Sequence, residues 1–267
     1  MKPVFDFFWK LFNKLLPLIL KIRGNRGLLP SRFDFRDHIA MLPGVSRVDI
    51  PTSKFQYQFN QNPFNICSFA STILALSEQI GVRLSVRFMV ALAQREGYIT
   101  GDGFSYQRAS LKILKKYGAV RYEDCPDETT GLSYEEYSEW KPEYESLLKK
   151  AEEFRITSYE KLVNEYEITR AVNAGYVPTT ASKWFQGMFN PFAPDFFLQA
   201  TGKNVGGHAY RVTGYRTNAK NTEDQDLETP QTFGALYGDN GKAWSATLFG
   251  VNYYDTWIVR FNGQPKP

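Results

Sequence analysis

The stretch "NQNPFNICSFA", residues 60–70, decides the fold. It turns from a polar, proline-broken segment into an apolar run that continues to Ile80 and stops at Gly81. Apolar residues at helical spacing that end at a glycine predict a helix over Cys67–Ile80. Cys67 then begins this helix, where backbone N–H groups favour the thiolate form. Cys67 is therefore a candidate nucleophile, and the alternative is a small buried side chain that only packs.

The amino-acid composition is that of a globular protein without a disulfide framework. The 267 residues are 43% hydrophobic and 16% aromatic, which predicts a globular chain with a sizeable core. The two cysteines cannot supply a disulfide framework for a chain of this length, and the sequence has no Asn-x-Ser/Thr acceptor. These features favour a reducing compartment, or a prokaryotic or viral setting, over eukaryotic secretion.

The positive charge is concentrated at the N-terminus. The net charge is +4, but residues 1–26 hold six Lys and Arg residues against Asp6 alone, so the remaining chain is close to neutral. Nucleic-acid binding needs cations clustered on the folded surface. The sequence therefore argues against a nucleic-acid partner.

Residues 4–22, "VFDFFWKLFNKLLPLILKI", predict an amphipathic helix with one narrow polar stripe. Recurring charges and Pro17 argue against a transmembrane span. Two interpretations stay open: a helix that lies on a membrane surface, or one whose apolar face docks on its own domain or on a partner protein. A flexible joint at residues 23–27 separates it from the rest of the chain.

The body of the chain predicts an α+β arrangement of two lobes. Helices are expected over residues 67–80, 86–95 and 105–117, and strands over 176–182, 208–215, 232–237 and 256–261, with a polar loop over 218–231. The expected domains are an N-terminal helix and linker over 1–27, a mainly helical lobe over 28–125 and a mainly β lobe over 126–267.

A cysteine nucleophile needs a base, and the chain offers two histidines, His38 and His208. His208 begins a predicted strand and follows Gly206 and Gly207. Glycines without side chains let backbone and substrate approach closely. His208 is therefore the preferred base, with the two glycines as candidate substrate-binding residues.

These elements stand in an order that resembles the papain-like cysteine peptidases. The order is "LPSRFDFRD" at 29–37, Gln61 six residues before Cys67, "GDGFSYQRASLKILKKYGAV" at 101–120 and "GGHAYRVTGY" at 206–215. The resemblance covers residues 28–261. It implies a helical lobe and an antiparallel, barrel-like β lobe. It also implies an endopeptidase that cleaves peptide or protein substrates through a thioester acyl-enzyme.

The resemblance implies a role for each matching residue. Cys67 would attack the peptide carbonyl and His208 would take its proton. The Gln61 side chain and the Cys67 backbone N–H would form the oxyanion hole. The glycine-bearing loop, formed by Gly101, Asp102 and Gly103, would bind extended substrate through its backbone.

A third residue should orient the imidazole, and here the sequence departs from the family. The family uses the Asn of an "NSWG" motif, which is absent. Asn240, in "LYGDNGKAW", is the preferred counterpart, and Asp239 and Asn252 are rivals.

Two further departures stand next to the nucleophile. Asn65 replaces a family Cys and Ser68 replaces a family Trp, so the usual neighbouring disulfide cannot form and Cys125 is expected to be a reduced thiol. These departures keep a second hypothesis open: an inactive papain-fold binding module, membrane-associated through residues 4–22. Two Cys and two His without ligand spacing predict no metal site. The absence of a phosphate-binding glycine loop and of a Gly-x-Ser-x-Gly elbow predicts no nucleotide cofactor and argues against a serine hydrolase.

Overall fold

The computed structural model describes residues 28–29, 38–39, 57–101, 103–163, 165–191, 195–217, 225–246 and 255–262. The predicted N-terminal helix at 4–22, most of the extended segment at 29–37, Asp102 and Asn252 lie outside these residues. The interpretations given for them therefore stay predictions.

The helical part is built around α1 (Cys67–Ile80), with α2 (Val86–Arg95) and α3 (Gln107–Lys116) packed against it. All three helices were predicted, and their limits follow from local chemistry. Gly81 ends α1 with a φ of 72°, and its N–H donates to the carbonyl oxygen of Ser77. Ser85 caps α2 by accepting a hydrogen bond from the N–H of Phe88.

Two shorter helices, α4 (Tyr134–Ser138) and α5 (Tyr144–Ala151), complete this part of the molecule. Their aromatic residues Tyr137 and Tyr144 belong to the same buried apolar cluster as α1, α2 and α3. That cluster also includes Phe154 and Trp257, so it draws on chain segments on both sides of residue 125. The domain boundary at residue 125 stays a prediction.

The larger sheet places the candidate base. Its strands are β2 (His38–Ile39), β4 (Ile156–Leu162), β5 (Thr179–Phe185), β6 (Asn204–Arg211) and β10 (Thr256–Phe261). In the described part of the chain they lie in the order β2-β4-β10-β5-β6. Helix α6 (Glu165–Asn173) links β4 to β5. Strands β5 and β6 are antiparallel, with His208 opposite Ser182, and β6 packs against α1.

A second sheet corrects the sequence prediction. It consists of β7 (Gly214–Thr217), β8 (Gln225–Pro230) and β9 (Lys242–Ala246), so the second half of the predicted loop at 218–231 is a strand. Asp226 and Glu228 are buried on β8, where Arg216 and Lys242 neutralise them at 3.2 and 3.0 Å. The acidic residues of this segment predict a solvent-exposed loop. The prediction fails because the cations that pair with these carboxylates lie on other strands, which the local sequence does not show.

The strand predicted at 232–237 is also wrong. These residues form turns around an isolated bridge, because Gly234 has a φ of 83° and Gly238 a φ of 54°. Both values lie in the left-handed region, which interrupts an extended strand.

The α+β fold class is confirmed, with helices packed on sheets that are antiparallel except for the parallel pair of β2 and β4. A further short pair, β1 (Leu28–Leu29) and β3 (Ser105–Tyr106), runs parallel next to the glycine-bearing loop. Within the ranges that the structure describes, none of the helices combines the length and apolar character that spanning a membrane requires.

Candidate active site

Cys67 lies where α1 meets the larger sheet. It packs against Ala181 of β5 and Ala209 of β6, and only 1% of its surface is exposed. The backbone groups of Ala209, of Ser68 and of Cys67 itself lower the pKa of its thiol. Ala209 directly follows His208 on β6. The fold therefore places the predicted nucleophile against the strand that carries the predicted base.

Two opposing effects act on the Cys67 thiol. Burial raises its pKa to about 11, and the nearby backbone groups oppose this increase. Ser68 and Cys67 belong to the first turn of α1, whose N–H groups have no side-chain cap because the N-cap residue is Ile66. Burial is the larger effect, so in the described conformation the thiol is neutral at pH 7.

His208 is held by aromatic rings. The Phe233 ring stacks on its imidazole at a centroid distance of 4.5 Å and an angle of 12°, and the Trp184 ring lies 4.6 Å away at 59°. Only 4% of the His208 surface is exposed. Rings packed on two sides restrict the imidazole to one plane. Gly207 and Gly206 precede it on β6, opposite Lys183 and Trp184 of β5.

Gln61 is buried and its carboxamide is fixed from both ends. Its Nε2 donates to the carbonyl oxygen of Phe64 at 3.1 Å, and its Oε1 accepts from the hydroxyl of Thr232. The backbone N–H of Gln61 also donates to the carbonyl oxygen of Thr232, at 2.8 Å. A primary amide has two N–H donors, and the bonds to described residues use one of them, so the other can donate to a ligand.

The glycine-bearing loop lies against the turn that precedes the nucleophile. Gly103 is buried with a φ of 103°, and a Cβ at this position would lie 2.9 Å from Cγ2 of Ile66 and 3.1 Å from the carbonyl carbon of Asn65. Glycine is therefore required at position 103, because it tolerates the positive φ and has no Cβ to clash with Asn65 and Ile66. Gly101 is exposed on the same loop. The loop therefore borders the site that Cys67 occupies.

A short strand of the N-terminal region runs alongside this loop. Strand β1 pairs in parallel with β3, with Leu28 opposite Ser105 and Leu29 opposite Tyr106. Cα atoms of β1 also come within 8 Å of Cα atoms of β6. The backbone at 28–29 thus lies near two parts of the candidate site: the strand that follows the glycine-bearing loop, and β6, which carries His208.

Asn240, the preferred orienting residue from sequence, lies on an exposed turn. It has a φ of 49°, its Nδ2 donates to Oδ1 of Asp239, and its carbonyl oxygen accepts from Nε2 of Gln58. Among the described residues, these contacts do not join Asn240 to His208. Asp239 belongs to the same exposed turn, and Asn252 lies outside the described residues.

Sequence reasoning missed a buried amide, Gln231. Its Nε2 donates to the carbonyl oxygen of Thr229 at 3.0 Å, and its Oε1 has no hydrogen-bond partner in the described part of the chain. Its two successors are Thr232, which holds Gln61, and Phe233, which stacks on His208. A signal was present: "QTFG" at 231–234 repeats the amide, hydroxyl, aromatic and glycine order of "NSWG".

The described residues at this site include a thiol, an imidazole and amide N–H donors. These are the types of group that acyl transfer requires as nucleophile, base and oxyanion donors. In the described ranges, no group of three or more His, Cys, Asp and Glu side chains is arranged to hold a metal ion.

Comparison with solved structures identifies the fold. Xylellain, a cysteine protease from Xylella fastidiosa, superposes with a TM-score of 0.72 at 18% identity, over 88% of this chain and 96% of that chain. The cysteine protease and lectin-like domains of Cwp84 from Clostridium difficile give 0.69 at 17%, over 91% and 57%. Digestive procathepsin L 3 of Tenebrio molitor gives 0.62 at 13%, over 92% and 79%.

Comparisons of the sequence itself are less informative. No protein-family model matches the chain, and no curated protein sequence matches it. The similarity therefore lies in the three-dimensional arrangement of helices and sheets. The chain has the fold of the papain-like cysteine proteases.

Proposed function

We propose that this protein is a cysteine peptidase that hydrolyses peptide bonds through a thioester acyl-enzyme. The observation that carries the proposal is the packing of Cys67, the first residue of α1, against Ala209, the residue after His208. This contact places the start of α1 against the strand that carries the imidazole.

The chemistry proceeds in two steps. The sulfur of Cys67 attacks the peptide carbonyl carbon while His208 takes the thiol proton, and His208 then protonates the leaving amine as the C–N bond breaks. A water molecule next attacks the thioester, with His208 as its base. The C–S bond breaks, the acid product leaves and the thiol recovers its proton.

Gln61 supports the step in which charge develops. The carbonyl oxygen becomes negative in each tetrahedral intermediate, and the free N–H of Gln61 together with the backbone N–H of Cys67 would donate to it. Prearranged donors of this kind contribute about 10²–10³-fold to kcat each. The bonds from Thr232 and to Phe64 support this role because they leave the Gln61 amide little freedom to rotate.

We assign the role of imidazole orienter to Gln231 in this proposal. Its buried Oε1 can still accept a hydrogen bond, and a ring N–H is a suitable donor. A bond to one ring nitrogen fixes the tautomer that leaves the other nitrogen basic. The position of Gln231, two residues before the ring that stacks on His208, supports this assignment over Asn240.

One observation favours a second candidate, a papain-fold binding module without activity. Cys67 is 1% exposed, and burial raises its pKa to about 11, so both access and thiolate formation are restricted. Ser68, where the family has Trp, is also buried, and its hydroxyl has no partner in the described part of the chain.

Covalent labelling separates the two candidates. The purified full chain is incubated with a fluorescent peptidyl epoxide, which reacts with activated thiols, and the labelled residue is identified by mass spectrometry. An active peptidase is labelled on Cys67, and labelling disappears in Cys67→Ala and in His208→Ala. Cys125→Ala is the matched control and should keep full labelling. Labelling on Cys125 alone, or no labelling and no release of amine from a peptide library, contradicts the peptidase.

A further inference from the structure

A buried ion pair joins the far end of α1 to β6. Nη2 of Arg211 lies 2.7 Å from Oε1 of Glu78, and the two side chains are 2% and 0% exposed. Glu78 is on the helix that Cys67 begins, and Arg211 is on the strand that carries His208. The two residues are 133 positions apart in the sequence.

The backbone of Tyr57 completes the arrangement. Its N–H donates to Oε1 of Glu78 at 3.2 Å, and its carbonyl oxygen accepts from Nη2 of Arg211 at 2.8 Å. The ion pair therefore also holds the segment that leads to Gln61, four residues later. We call the Glu78 and Arg211 side chains together with the Tyr57 backbone the clamp.

Each of the three segments in the clamp carries one group of the candidate active site. Helix α1 carries Cys67, β6 carries His208 and the segment after Tyr57 carries Gln61. Side chains alternate along a strand, so Ala209 and Arg211 share the face of β6 that packs on α1. On this face, Ala209 packs against Cys67 at the start of α1, and Arg211 pairs with Glu78 near its end.

We propose that Glu78 and Arg211 are positioning residues that set the relative placement of the nucleophile helix, the histidine strand and the oxyanion loop. The proposal rests on the proposed peptidase function. It adds that an ion pair outside the active site holds the three segments that carry Cys67, His208 and Gln61 in place. Glu78 lies eleven positions after Cys67, which is roughly 16 Å along α1, so the ion pair does not touch the peptide bond that Cys67 would attack.

The energetic cost of burying two charges suggests that this pair fixes the positions of the segments it joins and adds little to stability. A buried ion pair loses so much hydration that apolar residues of similar size often stabilise a fold equally well. Here desolvation raises the pKa of Glu78, and the charge of Arg211 opposes it. Oε2 of Glu78 and both Nε and Nη1 of Arg211 have no partner among the described residues. Apolar side chains would avoid these costs, but they would not hold Tyr57 in one position.

The test compares kcat with KM. Arg211→Met removes one charge and leaves Glu78 buried and unpaired, which threatens folding. The double variant Glu78→Met/Arg211→Met removes both charges and keeps an apolar interior, so we expect it to fold. Leu147→Ala on α5 is the control, because it loosens the core outside the three clamped segments. Each protein is assayed with one fluorogenic peptidyl-coumarin substrate, chosen because the unaltered chain cleaves it.

The clamp predicts that the double variant loses at least about 10-fold in kcat while KM stays within about 2-fold, since misplacement of reacting groups affects the chemical step. Leu147→Ala should keep its kcat even though it lowers the unfolding midpoint. An unchanged kcat in the folded double variant, or an equal loss in Leu147→Ala, overturns the proposal.

A second measurement keeps the clamp separate from the peptidase function. If the unaltered chain cleaves no peptide and labels no thiol, the peptidase proposal fails, and amide hydrogen exchange then decides on the clamp. Faster exchange in the double variant at residues 57–61 and 206–211, compared with Leu147→Ala, supports it. Exchange equal to that of the control overturns it.

Discussion

Thr232 and Gln61 hold each other through two hydrogen bonds. The hydroxyl of Thr232 donates to Oε1 of Gln61, and the N–H of Gln61 donates to the carbonyl oxygen of Thr232. The two residues are 171 positions apart. The loop before α1 is thereby attached to the segment that carries Gln231 and Phe233, so these bonds link Gln61, the proposed oxyanion donor, to the segment whose Phe233 ring stacks on His208.

This relationship predicts a graded effect on activity. Gln61→Ala should lower kcat about 10²–10³-fold because it removes an oxyanion donor. Thr232→Val keeps the shape but frees the carboxamide, and it should cost about 10-fold in kcat. Thr157→Val, which removes an exposed hydroxyl bonded to the carbonyl oxygen of Arg260, is the matched control and should leave kcat unchanged. Equal activity in Gln61→Ala and the unaltered chain would exclude the oxyanion role.

The choice between Gln231 and Asn240 can be made by substitution. Gln231→Ala should lower kcat about 10–10²-fold, because the imidazole then loses the acceptor that fixes its tautomer. Asn240→Gly keeps the left-handed backbone of the turn and should leave kcat within about 2-fold. The kinetics are measured with the same peptide substrate. A large loss in Asn240→Gly with a normal Gln231→Ala would return the orienting role to Asn240.

The buried thiol predicts a loss of stability at high pH. The pKa of Cys67 is raised from 9.0 to about 11 in the folded chain, so folding favours the protonated thiol. Its contribution is complete below pH 9 and is lost between pH 9 and about pH 11, by about 3 kcal/mol in total.

The measurement for the buried thiol is urea unfolding at pH 8 and at pH 10.5, in the unaltered chain and in Cys67→Ala. The difference in unfolding free energy between the two proteins should shrink by about 2 kcal/mol at the higher pH. The comparison cancels the titration of Cys125 and of the tyrosines, which both proteins contain. A difference independent of pH would show that the thiol is not desolvated in the folded chain.

Strand β1 predicts that the N-terminal region limits access to Cys67. Removal of residues 1–30 deletes the backbone that pairs with Ser105 and Tyr106, so the rate of epoxide labelling should rise. Removal of residues 1–26 keeps β1 and is the matched control, with labelling at the rate of the full chain. The rate constants come from the increase of fluorescence on the protein. Equal rates in the two shortened chains would show that β1 does not restrict the site.

Membrane binding by residues 4–22 stays a prediction from sequence. Co-sedimentation with anionic phosphatidylserine vesicles should recover the full chain, since apolar burial and Lys residues both favour such a surface. The chain that lacks residues 1–26 should stay in the supernatant. Equal sedimentation of the two would contradict membrane binding and leave docking on a protein surface.

The sequence by itself determined the parts of the fold that depend on neighbours along the chain. The limits of α1 follow from apolar periodicity and a glycine at its end, and both are local properties. Cys67 and His208 could be chosen because few residue types perform this chemistry and the chain has only two of each. The order of motifs then identified the fold, which the structural comparisons confirm.

Only the tertiary structure decided which polar residues are buried and what they contact. Asn240 matched the expected residue type, but its turn is exposed, whereas Gln231 is buried two positions before Phe233, whose ring stacks on His208. Asp226 and Glu78 are buried next to Arg216 and Arg211, which lie on other secondary-structure elements. The free energy of a buried polar group depends on partners that chain folding supplies from distant positions. A local sequence pattern therefore cannot assign such groups.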